Sequence, residues 1–130
     1  MEGCFDLMHS GHYNALRQAK NHADILVAGV VSDEEVLKNK GPPILKLEER
    51  IELARACKWV DEVAEGVPYD PSEELLDKLN CDYCAHGDDL PINAEGKVSG
   101  GPLRDSGRMK IIKRTEGIST TDIVGRLLLR

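Results

Sequence analysis

The sequence predicts an α/β fold, a Rossmann-like open parallel five-stranded sheet with helices on both faces, and two observations carry that reading. Short apolar runs of the kind that form buried strands alternate along the chain with stretches of helical periodicity, the rhythm of a parallel sheet rather than of a sandwich or a bundle. A chain of 130 residues, 41% hydrophobic, with twelve glycines and six prolines, suits one compact domain, so a single domain over 1–130 is expected.

The first strand is read over Met1 to Phe5 and, beginning where it does, is expected to be cut short. Gly11 to Asn21 follows with helical periodicity. Asp24 to Val31 holds the longest apolar or glycine run, Ile25 to Val31, which marks a buried strand and falls far short of the ~18 to 20 residues of a bilayer span. A short helix over Asp33 to Lys38 runs into a glycine- and proline-rich loop, Lys38 to Pro43. The helix Lys46 to Lys58 sets acidic Glu48, Glu49 and Glu52 beside basic Arg50 and Arg55, the pattern of a solvated face. Strand Val60 to Ala64, helix Pro71 to Leu79 and strand Cys81 to His86 continue the alternation. A second loop, Pro91 to Gly107, precedes a strand over Met109 to Lys113 and a last helix from about Thr120 to Leu129.

Charge argues against a general nucleic-acid binder. The chain carries 17 basic and 23 acidic residues, net −6, whereas phosphate neutralisation needs clustered Lys and Arg. The imbalance is uneven: residues 104–130 hold 7 basic and 3 acidic side chains, so a small anion is best met near the C-terminal end. Cys81 and Cys84 have the spacing of a metal or redox pair, but three-apart residues of one strand face opposite ways. Together with Cys4 and Cys57 they read as packing thiols in a reducing cytosol, which places the protein in the cytoplasm.

In an open parallel sheet, ligands collect beyond the carboxyl ends of the strands. There the sequence offers Phe5 to His12, Val31 to Asp33, His86 to Asp89 and Arg114 to Thr121. HSGH puts His9 and His12 at the start of a helix, where backbone N–H groups and the helix dipole favour an anion and Gly11 allows close approach. A Ser10 helix cap with two incidental histidines is the bland alternative. RTEGISTT puts Arg114 at a strand end and, after a glycine turn, three hydroxyl residues where the last helix begins, a second anion site; taken alone, an ordinary Ser/Thr cap with Asp122 in the first turn is the favoured reading. Together the motifs are more specific, because they bring two histidines, an arginine and two helix N-termini to one edge.

HSGH and RTEGISTT resemble the signatures of the cytidylyltransferases of the nucleotidyltransferase superfamily, over nearly the whole chain. The order of the intervening segments (GVVSDEE, KNKGPP, LEER, KWVDEV, VPY, HGDD, TTDIVGRLLL) is most similar to the branch that acts on phosphoethanolamine. The resemblance implies transfer of CMP from CTP to phosphoethanolamine, giving CDP-ethanolamine and pyrophosphate for phosphatidylethanolamine synthesis, by a homodimer without nucleic-acid partner or membrane insertion. Mg²⁺ is expected, held mainly through CTP phosphates, with no protein metal ligand assigned. Transfer to phosphocholine or glycerol 3-phosphate, and a non-catalytic CTP-binding module, remain alternatives; the last is expected to have a degraded first motif, whereas both histidines are present. Two departures stand out: the sequence does not include the second cytidylyltransferase-like half typical of the ethanolamine branch, as expected of an isolated domain or a short form, and Gly96 to Gly107 is expected to lack the longer helix the family usually has before the final strand.

The resemblance also implies roles. His9 and His12 contact the CTP phosphates and stabilise the five-coordinate transition state, and Lys40 reaches between nucleotide and acceptor. Gly3, Cys4 and Phe5 make close backbone contact with the nucleotide, His86, Gly87 and Asp88 read the nucleoside, and Arg114, Thr115, Glu116, Gly117, Ile118, Ser119 and Thr120 surround the triphosphate. Asp6, Lys40, Tyr69 and Asp88 are expected at the acceptor, with Asp6 as a structural turn residue the alternative. Asp89 is read as a turn cap, Lys38 as a solvated charge, His22 as a surface residue and Arg50 as an arginine near the subunit contact. A quaternary ammonium is usually held by aromatic faces. Where choline enzymes have further aromatics stand Tyr69 and Ile92, so the primary ammonium is the expected ligand.

Overall fold

The computed structural model describes residues 1–88 and 92–130; Asp89, and with it the turn-cap reading, lies outside the described residues. The strands are β1 (Glu2–Gly3), β2 (Val27–Val31), β3 (Glu62–Val67), β4 (Cys84–Gly87) and β5 (Met109–Ile112). The helices are α1 (Ser10–Lys20), α2 (Asp33–Asn39), α3 (Leu47–Arg55), α4 (Glu73–Lys78), α5 (Gly101–Asp105) and α6 (Thr120–Leu128). Every strand pairing is parallel.

The single five-stranded sheet is not what forms. The strands make a three-stranded sheet, β1-β2-β3, and a two-stranded one, β4-β5. The reason lies in β1, which is two residues long and spends its ladder on β2, pairing Glu2 with Gly29 and Gly3 with Val30. Toward β4 it offers a side chain instead: Glu2 Oε1 lies 3.2 Å from His86 Nε2. The chain leaves β1 through positive φ angles at Phe5 (50°) and Leu7 (49°), a conformation that non-glycine residues rarely adopt and that cluster at functional sites. β2 begins later than its apolar run because the Asp61 carboxylate accepts the Leu26 N–H at 2.8 Å, ending the ladder there.

Strand alternation distributes the helices to both faces. Ala28 and Val30 join Leu16 and Ala19 of α1 and Ile51 and Ala54 of α3 in one buried cluster. Val31 packs with Val36 of α2, Val67, Tyr69 and Leu75 of α4. β4 has its own cluster of Leu76, Cys84 and Leu103, with Cys81 and Met109 against it.

Two further expectations are corrected. The segment read as loop up to Gly107 contains α5, which pins Leu103 at 0% exposure; its five residues, opened by Gly100 in a left-handed conformation and followed by Pro102, are too few for periodicity to reveal. Cys81 precedes β4 rather than lying in it, so strand alternation does not separate it from Cys84; both sulfurs belong to the same apolar cluster, and all four cysteines are free.

Candidate active site

The carboxyl ends of β1, β2, β4 and β5 and the N-termini of α1 and α6 meet at one edge. The N-cap of α1 is His9 rather than Ser10. His9 Nδ1 accepts the Gly11 N–H at 3.0 Å, and His12 Nδ1 accepts the His9 N–H at 3.1 Å, a reciprocal box built of two imidazoles. A nitrogen that accepts carries no proton, so in each neutral ring the proton sits on Nε2, the atom left to donate. Burial, the neighbouring His9 and Lys40 push His12 down to about 4, and burial with Arg114 lowers His9. At neutral pH both rings are therefore uncharged N–H donors, with centroids 4.1 Å apart. Gly11 is required by this cap itself: a Cβ there would lie 2.8 Å from His9 Cε1.

The second motif is tied to the first. Ser119 caps α6 through the Asp122 N–H (3.1 Å), and the Thr120 hydroxyl donates to the Asp6 carbonyl at 2.7 Å. Gly117 turns the loop at φ 79°. The cap reading of this segment is thus correct as geometry, and the same cap brings the helix end to the histidines.

Two cavities open at this edge. One, about 350 Å³, is lined by His9, His12, Gly87, Arg114, Thr115, Ile118 and Ser119 among others. The other, about 460 Å³, is lined by Glu2, Gly3, Cys4, Phe5, Asp6 and Tyr69 among others. His12, Lys40, His86, Thr120 and Thr121 line both. Lys40, the C-cap residue of α2, is thus on the wall between the two cavities. Asp88, Glu116 and Gly117 line a separate surface concavity with Arg114, Thr115 and Ile118. Asp88 is therefore on the Arg114 side and not among the residues lining the cavity of Tyr69.

Several roles shift once partners are known. Asp6 is a loop anchor, its carboxylate accepting the Ile44 N–H (2.7 Å) and the Leu45 N–H (2.9 Å), so it fixes the segment that follows Lys40. A second carboxylate, Glu2, lines the Tyr69 cavity together with Asp6; it is buried at 8% exposure and absent from the expected set. Tyr69 is itself buried, its phenol pushed up to about 12 by desolvation and by the nearby Cys4 and Glu2, so it stays protonated. Burial also raises the Cys4 thiol, which keeps it protonated and poorly nucleophilic. Lys38 lies 3.7 Å from Glu95 in a solvated ion pair, and His22 is exposed and lines neither site cavity.

Arg50 is the largest correction. It is 0% exposed, far from a surface arginine, and its guanidinium donates to the carbonyls of Leu45 (3.1 Å), Cys4 (2.8 Å) and Val31 (2.7 Å) and to Asp33 Oδ1 (2.6 Å). One side chain thereby fastens the ends of β1 and β2, the start of α2 and the loop after Lys40. The LEER segment gave no local sign of this, because the carbonyls of Cys4 and Val31 and the Asp33 carboxylate belong to remote residues. Thr121 was readable only as part of the hydroxyl run.

The family model described as Cytidylyltransferase-like matches residues 1–126. The chain is 59% identical over 129 residues to the ethanolamine-phosphate cytidylyltransferase of Dictyostelium discoideum, covering 99% of this chain and 36% of that protein. It is 53% identical over 133 residues to the ethanolamine-phosphate cytidylyltransferase of Arabidopsis thaliana, covering 99% and 32%. It therefore spans about a third of the length of these relatives. Among solved structures, the lipopolysaccharide core biosynthesis protein of Thermoplasma volcanium GSS1 superposes with a TM-score of 0.67 at 27% identity, covering 88% of this chain and 92% of that one. With the family match running from β1 through both motifs into α6, the chain belongs to the cytidylyltransferase-like family.

Proposed function

We propose that this chain transfers CMP from CTP to phosphoethanolamine, yielding CDP-ethanolamine and pyrophosphate. The observation that carries the reading is the pair of cavities with a shared wall of His12, Lys40, His86, Thr120 and Thr121. The identity to ethanolamine-phosphate cytidylyltransferases supports the choice of acceptor.

An oxygen of the acceptor phosphate attacks the α-phosphorus, and the bond from that phosphorus to the bridging oxygen of the β-phosphate breaks. The attacking phosphate monoester, with a second pKa near 6, is mostly dianionic at neutral pH, so no general base is needed. What the site must supply is alignment and donors for charge on the α-phosphate and the leaving pyrophosphate. His9 and His12 would donate from Nε2, Arg114 and the two helix N-termini would hold the triphosphate, and Lys40 would neutralise both polyanions at their junction. Mg²⁺, brought in on the triphosphate of its substrate, would screen phosphate charge there.

On the acceptor side, a primary ammonium offers three N–H donors. Glu2 is the carboxylate placed to receive it, beside the Tyr69 phenol. A trimethylammonium group would find the rings of Phe5 and Tyr69 there, fewer aromatic faces than a full cage. A homodimer and a cytoplasmic location, the latter favoured by four free cysteines, complete the reading; no helix among the described residues is long and apolar enough to cross a membrane.

Single-turnover reactions of the chain with CTP and each of phosphoethanolamine, phosphocholine and glycerol 3-phosphate test the assignment. Phosphoethanolamine should be preferred over phosphocholine by at least about tenfold in kcat/KM, ~1.4 kcal/mol. Equal or better turnover of phosphocholine would remove the ethanolamine assignment and leave the cytidylyltransferase reading standing.

A further inference from the structure

Two side chains one turn apart on α1 hold the segment that follows β5. Gln18 exchanges both ends of its amide with one peptide unit, Nε2 donating to the Lys113 carbonyl (2.8 Å) and Oε1 accepting the Lys113 N–H (3.1 Å). Nearer the histidines, Asn14 Nδ2 donates to Thr115 Oγ1 at 2.8 Å. The orientation of that amide is fixed by chemistry: Asn14 Oδ1 takes two donors from Arg17, Nε at 3.2 Å and Nη2 at 2.7 Å, so only the nitrogen end is available to Thr115.

A hydroxyl oxygen that accepts from an amide keeps its own proton for another partner. Among the described residues nothing takes the Thr115 proton, and Thr115 lines the same cavity as His9, His12 and Arg114. We propose that Asn14 is a positioning residue that acts through Thr115, holding its hydroxyl as an oriented donor for a triphosphate oxygen; this rests on the CTP reading above. Arg17 polarises the Asn14 amide from the solvent side, and Gln18 fixes the backbone that carries the loop. Asn14 touches no substrate in this account.

A double-mutant cycle on the full chain separates positioning from bulk structure, with CTP dissociation constants measured by calorimetry and melting temperatures recorded for each variant. Asn14→Ala and Thr115→Val should each weaken CTP binding by roughly 3- to 10-fold. The double variant should be no weaker than Thr115→Val alone, because Asn14 has nothing left to orient. Thr115→Ser should bind nearly as well as wild type while Asn14 is present and lose that advantage in the Asn14→Ala background. Losses that multiply in the double variant would overturn the proposal. Asn14→Ser provides the second truncation if Asn14→Ala does not fold, with the same expected and contrary outcomes. Wild-type chain that fails to bind CTP would instead overturn the nucleotide reading, a result distinct from additive losses in a chain that binds.

Discussion

Replacing Arg50 by leucine removes the donor that fastens four segments while keeping an apolar stem in a buried slot. The magnitude follows from what is left behind. The carbonyls of Cys4 and Val31 lose a charge-assisted partner at 2.8 and 2.7 Å, and each buried acceptor stranded in this way costs about 1 to 3 kcal/mol. Asp33 contributes less, because its side chain is 45% exposed and can rehydrate. The expected total is about 3 to 5 kcal/mol, the range typical of breaking a buried charged network at one partner and a large share of the ~5 to 15 kcal/mol that holds a domain together. Urea unfolding at pH 7, followed by circular dichroism, reads this directly as a shift in midpoint at constant slope. Arg50→Lys should recover only part of the loss, since a single ammonium cannot match a planar fork serving four acceptors. A destabilisation below about 1 kcal/mol for Arg50→Leu would refute the reasoning and return the residue to a peripheral role.

Three other outcomes follow from the site. His9→Ala and His12→Ala should lower kcat far more than they raise the KM for CTP, because donors to developing charge act mainly in the transition state; near wild-type turnover in folded variants would remove HSGH from catalysis. Arg114→Ala should weaken CTP binding by roughly 1.5 to 3 kcal/mol, and undiminished binding by calorimetry would leave RTEGISTT as a helix cap alone. His12 sets an acid limit: its folded pKa of about 4 lies below the ordinary imidazole value of 6.5, so the unfolded chain takes up a proton first as pH falls. Stability from this group is fully present above about pH 6.5 and declines toward pH 4, by up to about 1.4 kcal/mol per pH unit. The stability difference between wild type and His12→Asn should therefore shrink between pH 7 and pH 4.5, and a difference independent of pH over that window would contradict the neutral imidazole.

Much of this site was legible because its signals are local. HSGH and RTEGISTT each compress a helix start and its polar groups into a few residues, and KNKGPP places Lys40 just where a short helix must stop. The same locality explains the misreadings. Glycine in HSGH was legible as a need for space, but the occupant of that space is the His9 ring, which only the cap geometry reveals. Arg50 and Asp6 bind backbone atoms of distant segments, and no periodicity or charge pattern encodes such partners. Glu2 looked like the start of a strand and became a buried carboxylate because β1 pairs on one side only and leaves Glu2 facing His86. The expected single sheet failed for the same reason: periodicity identifies five strands, while joining them depends on whether a two-residue strand can ladder on both edges.

Phosphorus NMR of the chain incubated with CTP, Mg²⁺ and phosphoethanolamine tests the central claim most directly, because every phosphorus in the balance is seen at once. Transfer of CMP predicts that CDP-ethanolamine and pyrophosphate grow in at a one-to-one ratio while CTP and phosphoethanolamine fall together. CTP that persists with phosphoethanolamine untouched, or that decays to CDP and inorganic phosphate, would contradict the account.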